Sequence, residues 1–202
     1  MRISVIMASY LEEYSTGKHK SATNREFKFR RAVDSFLKQT FKDAELIIVS
    51  DGCQKTSKIT REEYSKNPQI RLVEIDKQPL FSGTVRQNGL RVAKGEIICY
   101  LDSDDILGEN HLAVINKFDD SSYSWCYYDD YIFDGSAKRL RSVEPKLNSI
   151  GTSSICHCKA SKFEWQDGYG HDWKSISNLL NEKHYKLETP EYIVCHIGKI
   201  DV

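Results

Sequence analysis

Three carboxylates stand within four positions of one another in the stretch EIICYLDSDDIL, residues 96 to 107: Asp102, Asp104 and Asp105. They follow directly on an apolar, strand-forming run. Asp and Ser are favoured at turns and helix N-caps, which accounts for one or two such residues at a strand end. Three are different, because carboxylates a few ångströms apart raise one another's pKa and destabilise the fold unless a cation lies between them. A divalent ion of the magnesium or manganese kind, which keeps positions open for water and phosphate, suits such an all-oxygen donor set. A calcium EF-hand loop does not, since Ile106 and Leu107 occupy positions where that loop needs a ligand and a glycine.

The elements that must carry these residues alternate along the first half of the chain. The runs RISVIMA, AELIIVS, IRLVEI and EIICYL are short, apolar and rich in Ile and Val, as strands buried on both faces are. Segments of helical period separate them. In EFKFRRAVDSFLKQT, residues 26 to 40, Phe29, Ala32, Val33, Phe36 and Leu37 form one face, which leaves Lys28, Arg30, Arg31 and Lys38 to water. Thr23 and Glu26 match a capping box before it. TSKITREEYSK and SGTVRQNGLRVAK fill the next two helical slots, the latter ending at Gly95. The expected result is a parallel α/β sheet with right-handed crossovers, whose ligand crevice lies beyond the C-terminal strand ends. Those ends carry Ser9 and Tyr10, Asp51 and Gly52, and Asp102 to Asp105. After residue 108 the pattern turns mixed: a helix at ENHLAVINKF, strand-like runs in YSWCYYDDYIF, SAKRLRSVE, GTSSICHC and YIVCHIG, and one further helix at about residues 172 to 182. With no linker or repeat between them, the halves are expected to share one continuous sheet in a single domain, residues 1–105 and 106–202.

The chain has 202 residues, 40% of them hydrophobic, with 29 basic against 29 acidic side chains. Zero net charge lacks the electrostatic footprint of a nucleic-acid binder. No apolar run reaches the ~20 residues that span a bilayer, and MRISVIMASY does not read as a signal peptide, so the expectation is a cytoplasmic protein. Six cysteines are scattered, several in apolar runs where a thiol acts as a small hydrophobe, and they read as free and buried. Cys156, His157 and Cys158 with Cys195 and His196 offer a zinc alternative, which no CxxC pair supports.

Two phosphate chemistries fit the Asp cluster. A haloacid-dehalogenase-like phosphohydrolase also places Asp-x-Asp after a strand, but on its first strand rather than a fourth, and with Thr or Val where Ile106 stands. In the other chemistry, phosphate is held as a leaving group. The blocks ISVIMASYLEE, AVDSFLKQTFKDAELIIVSDGCQKTS and GTVRQNGLRVAKGEIICYLDSDD, in that order, resemble the inverting family 2 glycosyltransferases of GT-A fold, with an insertion near residues 12 to 25. NSIGTSSICHCKASKF and DGYGHDWKSISNLL are similar to the same family's acceptor-side blocks.

The resemblance implies a nucleoside-diphosphate sugar donor, a hydroxyl acceptor on a glycan or lipid-linked glycan, a manganese or magnesium cofactor, and work at the inner face of the cytoplasmic membrane through peripheral association. By the same resemblance Ser9 and Tyr10 line the nucleotide pocket, Tyr10 stacking on the base, and Asp51 accepts a hydrogen bond from it, although Ser50 replaces the usual second acid. Asp102 contacts ribose or metal, Asp104 ligates the metal, and Asp105 either assists or caps the next helix. Arg86 contacts phosphate or steadies the Asp loop, with Gln87 where Asn is usual. Asp172 is the general base that takes the acceptor's proton, with His171 in place of the usual Glu, and His196 completes the metal site. The implied activity is sugar transfer with inversion; a nucleotide-sugar-binding module with little catalysis is the remaining alternative.

Overall fold

A computed structural model describes residues 1–12, 24–79 and 81–195. The chain runs β1 (Ile3–Ser9), α1 (Arg25–Leu37), β2 (Ala44–Asp51), α2 (Gln54–Ile59), β3 (Ile70–Ile75), α3 (Gly83–Val92), β4 (Ile97–Tyr100), β5 (Ile106–Leu107) and α4 (His111–Ile115). It continues through β6 (Trp125–Tyr127), β7 (Asp130–Phe133), β8 (Lys138–Arg141), β9 (Ile155–Cys158), α5 (His171–Ser177), β10 (His184–Lys186) and β11 (Tyr192–Cys195). A π turn, Thr60–Tyr64, prolongs α2, and a 3-10 turn, Thr152–Ser154, precedes β9.

Seven strands form the main sheet in the order β10-β6-β9-β4-β1-β2-β3. The alternation anticipated from sequence holds: β1 pairs in parallel with β2 and β4, and β2 with β3. β9 then runs antiparallel between β4 and β6, which joins the second half of the chain to the first. The strands β1, β2 and β4 are buried almost throughout, because helices cover both faces. One apolar cluster packs α1 and α4 against one face through Phe29, Phe36 and Ile115, and another packs α3 and α5 against the other through Val85 and Ile176.

The expected single sheet needs correcting. A second sheet, β5-β11-β7-β8, stands beside the first. The run YSWCYYDDYIF breaks between Tyr127 and Asp130, with β6 in the main sheet and β7 in the small one. Asp129 and Asp130 account for the break: Asp129 accepts the Val143 N–H, and Asp130, fully buried, takes the Arg141 guanidinium and the Ser153 hydroxyl. β10 has no counterpart in the sequence reading.

Helix boundaries also shift. α3 stops at Val92, two residues before Lys94 and ahead of Gly95. Gly95 serves a close approach instead, since a Cβ there would stand 2.4 Å from the Ser4 amide nitrogen. Asn24, in the left-handed region, precedes α1 without a side-chain cap, and the capping box expected on Thr23 lies outside the described residues. α1 buries its apolar face as expected, but Lys28 is 2% exposed rather than solvated, and Arg31 reaches the loop after β4. All six cysteines are free and buried.

Two histidines are locked inside this core as neutral rings. His111 lies edge-on to Tyr128 and Tyr192, and burial pulls its pKa down to about 3. His157 has its Nδ1 2.9 Å from the Cys158 carbonyl and its Nε2 2.8 Å from the Tyr100 hydroxyl, and burial brings its pKa down to about 4. Below the ordinary histidine pKa the unfolded chain takes up protons that the folded one refuses, so stability falls as pH drops from about 6.5 towards these values. Unfolding in urea at pH 7.5 and pH 5 is expected to differ by about 2 kcal/mol for each histidine. His111→Phe should remove its own share, about 2 kcal/mol of the combined difference; an unchanged pH dependence in this variant would show that His111 is not responsible.

Candidate functional site

The parallel strands β1, β2 and β4 end on one side of the sheet, and two of the residues singled out by sequence, Asp102 and Asp172, meet at Arg86. This residue sits on α3, is 6% exposed, and has its guanidinium 5.1 Å from the Trp165 ring. Its Nη2 donates to Asp102 Oδ1 at 2.7 Å. Its Nη1 donates to Ser82 Oγ at 2.6 Å and lies 3.5 Å from Asp172 Oδ1. Burial works against the charge of Arg86, but Asp102 and Asp172 more than offset this and hold its pKa above the usual arginine value. Asp102 and Asp172, 70 positions apart in sequence, are thereby drawn to one cation.

His171 completes the cluster, with Nε2 2.8 Å from Arg86 Nη1 and 3.1 Å from Asp172 Oδ1. The same Nε2 lies 3.2 Å from the Ser82 hydroxyl, so one ring nitrogen sits among the guanidinium, the hydroxyl and the carboxylate. Burial disfavours the charge on Asp172, but the His171 ring and the Arg86 cation outweigh it and keep the carboxyl below its ordinary pKa. Asp172 is thus an ionised carboxylate in the first turn of α5, 38% open to solvent. Gln87, the departure noted in sequence, accepts the Trp165 backbone N–H and so ties α3 to the segment leading into α5.

The three carboxylates after β4 separate into different environments. Asp102 Oδ2 accepts from the Thr152 hydroxyl at 3.2 Å, and its backbone N–H donates to the Tyr192 hydroxyl. Asp104 has its pKa pushed up to about 6, first by burial and then by the charge of Asp102, while Lys28 and Arg25 pull the other way. Its backbone carbonyl accepts from Arg31 at 2.7 Å. Asp105 is buried and accepts from both the Tyr192 hydroxyl at 3.0 Å and the Cys195 N–H at 2.7 Å. Burial, then Asp104 and Asp102, raise its pKa well above normal. Asp105 thus neither caps a helix nor faces the crevice; it fastens the loop to β11.

At the end of β2, Asp51 accepts the Gln78 N–H on one oxygen and the Lys77 ammonium on the other, each at 2.6 Å. The Lys77 nitrogen also stands 4.5 Å from the centre of the Tyr10 ring. Ser9, 2% exposed, turns its hydroxyl inward to Thr56 at 2.9 Å, so it has only its main chain to present to the crevice. His196 lies outside the described residues.

Asp102 and Asp104, whose proximity adds to burial in raising the Asp104 pKa, offer carboxylate oxygens of the kind a hard divalent cation takes. Among the described residues no three His, Cys, Asp or Glu side chains converge as a metal site; of the zinc alternative on Cys156, His157, Cys158, Cys195 and His196, the last lies outside them. His157 has both nitrogens engaged in the core, and Cys156 faces Cys126 with the sulfurs 3.0 Å apart. A cavity of about 690 Å³ opens beside α2 and the end of β3, lined by Gly52, Cys53, Ser57, Lys58, Arg61 and Glu74 among others. None of Asp51, Arg86, Asp102, Asp104 and Asp172 lines it, so it is not the site assembled above.

The description of glycosyl transferase family 2 matches residues 21–183, which include Asp51, Arg86, Asp102, Asp104 and Asp172. The chain belongs to glycosyl transferase family 2. Among curated relatives of this family 2 chain, the Escherichia coli chondroitin synthase is 35% identical over 185 residues, 84% of this chain and 26% of that protein. The poly(ribitol-phosphate) beta-N-acetylglucosaminyltransferase TarP of Staphylococcus aureus is 26% identical over 76% of this chain and 44% of its own length. The structure of S. aureus TarS residues 1–349 in complex with UDP-GlcNAc superposes with a TM-score of 0.75 at 19% identity, covering 97% of this chain and 59% of that one. The mannosyltransferase PcManGT of Pyrobaculum calidifontis, in complex with GDP-Man and Mn2+, gives 0.63 at 13% identity, with 96% and 56% covered. The family 2 chain has the GT-A fold anticipated from its motifs. It spans less than half the length of the curated relatives it matches.

Family membership sets aside the phosphohydrolase reading of the Asp-x-Asp pair. The side chains that sequence reasoning missed are Thr152, Tyr192, Lys28, Arg31 and Lys77. Tyr192 had a signal, since it opens the strand-like run that was valued only for its histidine. Lys28 and Arg31 had none, because basic residues beside an apolar face ordinarily point to water.

Proposed function

We propose that this chain is the catalytic unit of an inverting, metal-dependent glycosyltransferase that moves a sugar from a nucleoside diphosphate to a hydroxyl of a glycan or lipid-linked glycan acceptor. The observation that supports this reading is the buried guanidinium of Arg86, which meets both Asp102, the carboxylate expected on the donor side, and Asp172, the one expected on the acceptor side. In this reading residues 1–105 serve the donor and 106–202 the acceptor within one domain. TarS binds UDP-GlcNAc and PcManGT binds GDP-Man with Mn2+, which supports a nucleotide-sugar donor and a divalent ion by analogy of fold.

In this mechanism the base of the donor lies on Tyr10 beside Asp51, with the Ser9 main chain next to it. Asp102 and Asp104 would hold the divalent ion, His196 being the further ligand expected from sequence; such an ion would supply positive charge against the departing diphosphate. Asp172, ionised and partly open to solvent, takes the proton of the attacking hydroxyl on the face away from the leaving group. His171, whose Nε2 meets both Arg86 and Asp172, fixes the side of the guanidinium that Asp172 meets. No helix among the described residues is long and apolar enough to cross a membrane. Work at the inner membrane face through peripheral association is part of this proposal.

The test is a panel of nucleoside diphosphates and their sugars with manganese, read first by binding and then by donor hydrolysis. Manganese-dependent binding with slow hydrolysis is expected. Binding with no hydrolysis or transfer to any acceptor tried would favour a nucleotide-sugar-binding module, and no binding at all would overturn the proposal. Asp104→Ala should weaken manganese-supported nucleotide binding at least about a hundredfold. Equal affinity in calorimetry with and without this carboxylate would remove Asp104 from the metal site.

A further inference from the structure

Lys77 occupies the space between the two groups assigned to the nucleotide base, and this chain's choice of base follows from what it offers there. Its position is fixed from both sides. Gly52, at φ +60°, would bring a Cβ within 2.6 to 2.8 Å of the Lys77 backbone nitrogen, Cα and Cβ, so only glycine lets this segment lie so close to the end of β2. The neighbouring Gln78 N–H bonds Asp51 Oδ1 at 2.6 Å and fastens the segment again. The Lys77 ammonium then has one N–H on Asp51 Oδ2 and one on the Gln78 carbonyl, each at 2.6 Å, and stands over the Tyr10 ring.

We infer that Lys77 selects the base of the donor, favouring uracil and guanine over cytosine and adenine. This rests on the proposed nucleotide-sugar reading. Asp51 is an acceptor and Lys77, bonded to it, is a donor; side by side they match an edge on which a ring N–H adjoins a carbonyl. Uracil has that edge in N3–H with its flanking carbonyls, and guanine in N1–H with O6. Cytosine and adenine present the reverse, an unprotonated ring nitrogen beside an amino group, which sets lone pair against carboxylate and amine against ammonium. A site whose polar groups are left unpaired by the wrong ligand discriminates far better than one built from apolar contacts. When the base stacks on Tyr10 the ammonium leaves the ring face and keeps its bond to Asp51.

Calorimetric binding of UDP, GDP, CDP and ADP with manganese, to the natural chain and to Lys77→Met and Lys77→Arg, tests this. The natural chain is expected to bind UDP or GDP at least about tenfold more tightly than CDP and ADP. Lys77→Met, which keeps the stem that lies against Tyr10, should bring the four within about twofold of one another while still binding them, and Lys77→Arg should keep the preference. Since Lys77 is 39% exposed, loss of its charge is not expected to unfold the protein. An unchanged preference in Lys77→Met, or none in the natural chain, would overturn the role of Lys77 while leaving the nucleotide site standing. Failure of all four nucleotides to bind the natural chain would instead overturn the nucleotide-sugar reading beneath it.

Discussion

Asp172→Asn is expected to reduce sugar transfer by about three orders of magnitude while leaving nucleotide binding within about twofold, because it removes one proton acceptor and little else. Asparagine keeps the size of the side chain and its place in the first turn of α5, so packing against α3 is preserved. It removes the one negative charge that Arg86 meets on the acceptor side, yet Arg86 retains its 2.7 Å bond to Asp102 and therefore its position. The pKa of Asp172 lies below the ordinary aspartate value, so the group is ionised throughout the neutral range. The transfer rate of the natural chain should accordingly show no loss from this group until pH falls below the ordinary carboxylate range. Single-turnover transfer with the donor pre-bound separates the two quantities. Turnover retained in the asparagine variant would exclude Asp172 as the base, and a matching loss of donor binding would assign it a structural duty instead.

Arg86→Met is the second change with a large expected effect, and it acts on stability as well as on transfer. The guanidinium is almost fully buried, and its removal leaves Asp102 and Asp172 facing each other without the cation between them. Breaking a buried pair in this way costs about 3–5 kcal/mol when both charges are sealed off. Each of these carboxylates is about a third open to water, so a loss near about 3 kcal/mol is expected in urea unfolding. Arg86→Lys keeps the charge but cannot reach Ser82, Asp102 and the Asp172 side together, since its ammonium is one point rather than a planar fork. It should recover most of the stability and little of the transfer. A double-mutant cycle with Asp102→Asn measures the pair directly: coupling below about 0.5 kcal/mol would mean that Arg86 is held by Trp165 and Ser82 rather than by the carboxylate.

Both variants act on a contact that no stretch of sequence contains. The fold class was legible because its signals are local and repeated: short, continuously apolar Ile- and Val-rich runs, with segments of a period near 3.6 between them, leave a parallel sheet as the economical arrangement. The small second sheet was not, because YSWCYYDDYIF has the composition of one strand, and its break depends on where Asp129 and Asp130 find partners many residues away. Short elements such as β10 carry too few residues for any periodic signal.

By itself the sequence determined which residue types stand at the strand ends: acid after β2, three acids after β4, and an acid opening α5. That much follows from chain order, since a parallel strand delivers its last residues to the same side as its neighbours. The tertiary structure decided how those acids divide. Asp105 turned out to fasten β11, because its oxygens meet Tyr192 and Cys195, 87 and 90 positions onward. Asp102 and Asp172 came to share Arg86, and Lys28 and Arg31 came to face the Asp loop rather than water. The reason is physical: periodicity reports which face of an element is buried, whereas the environment of a charged group is set by the few long-range partners that exclude water around it.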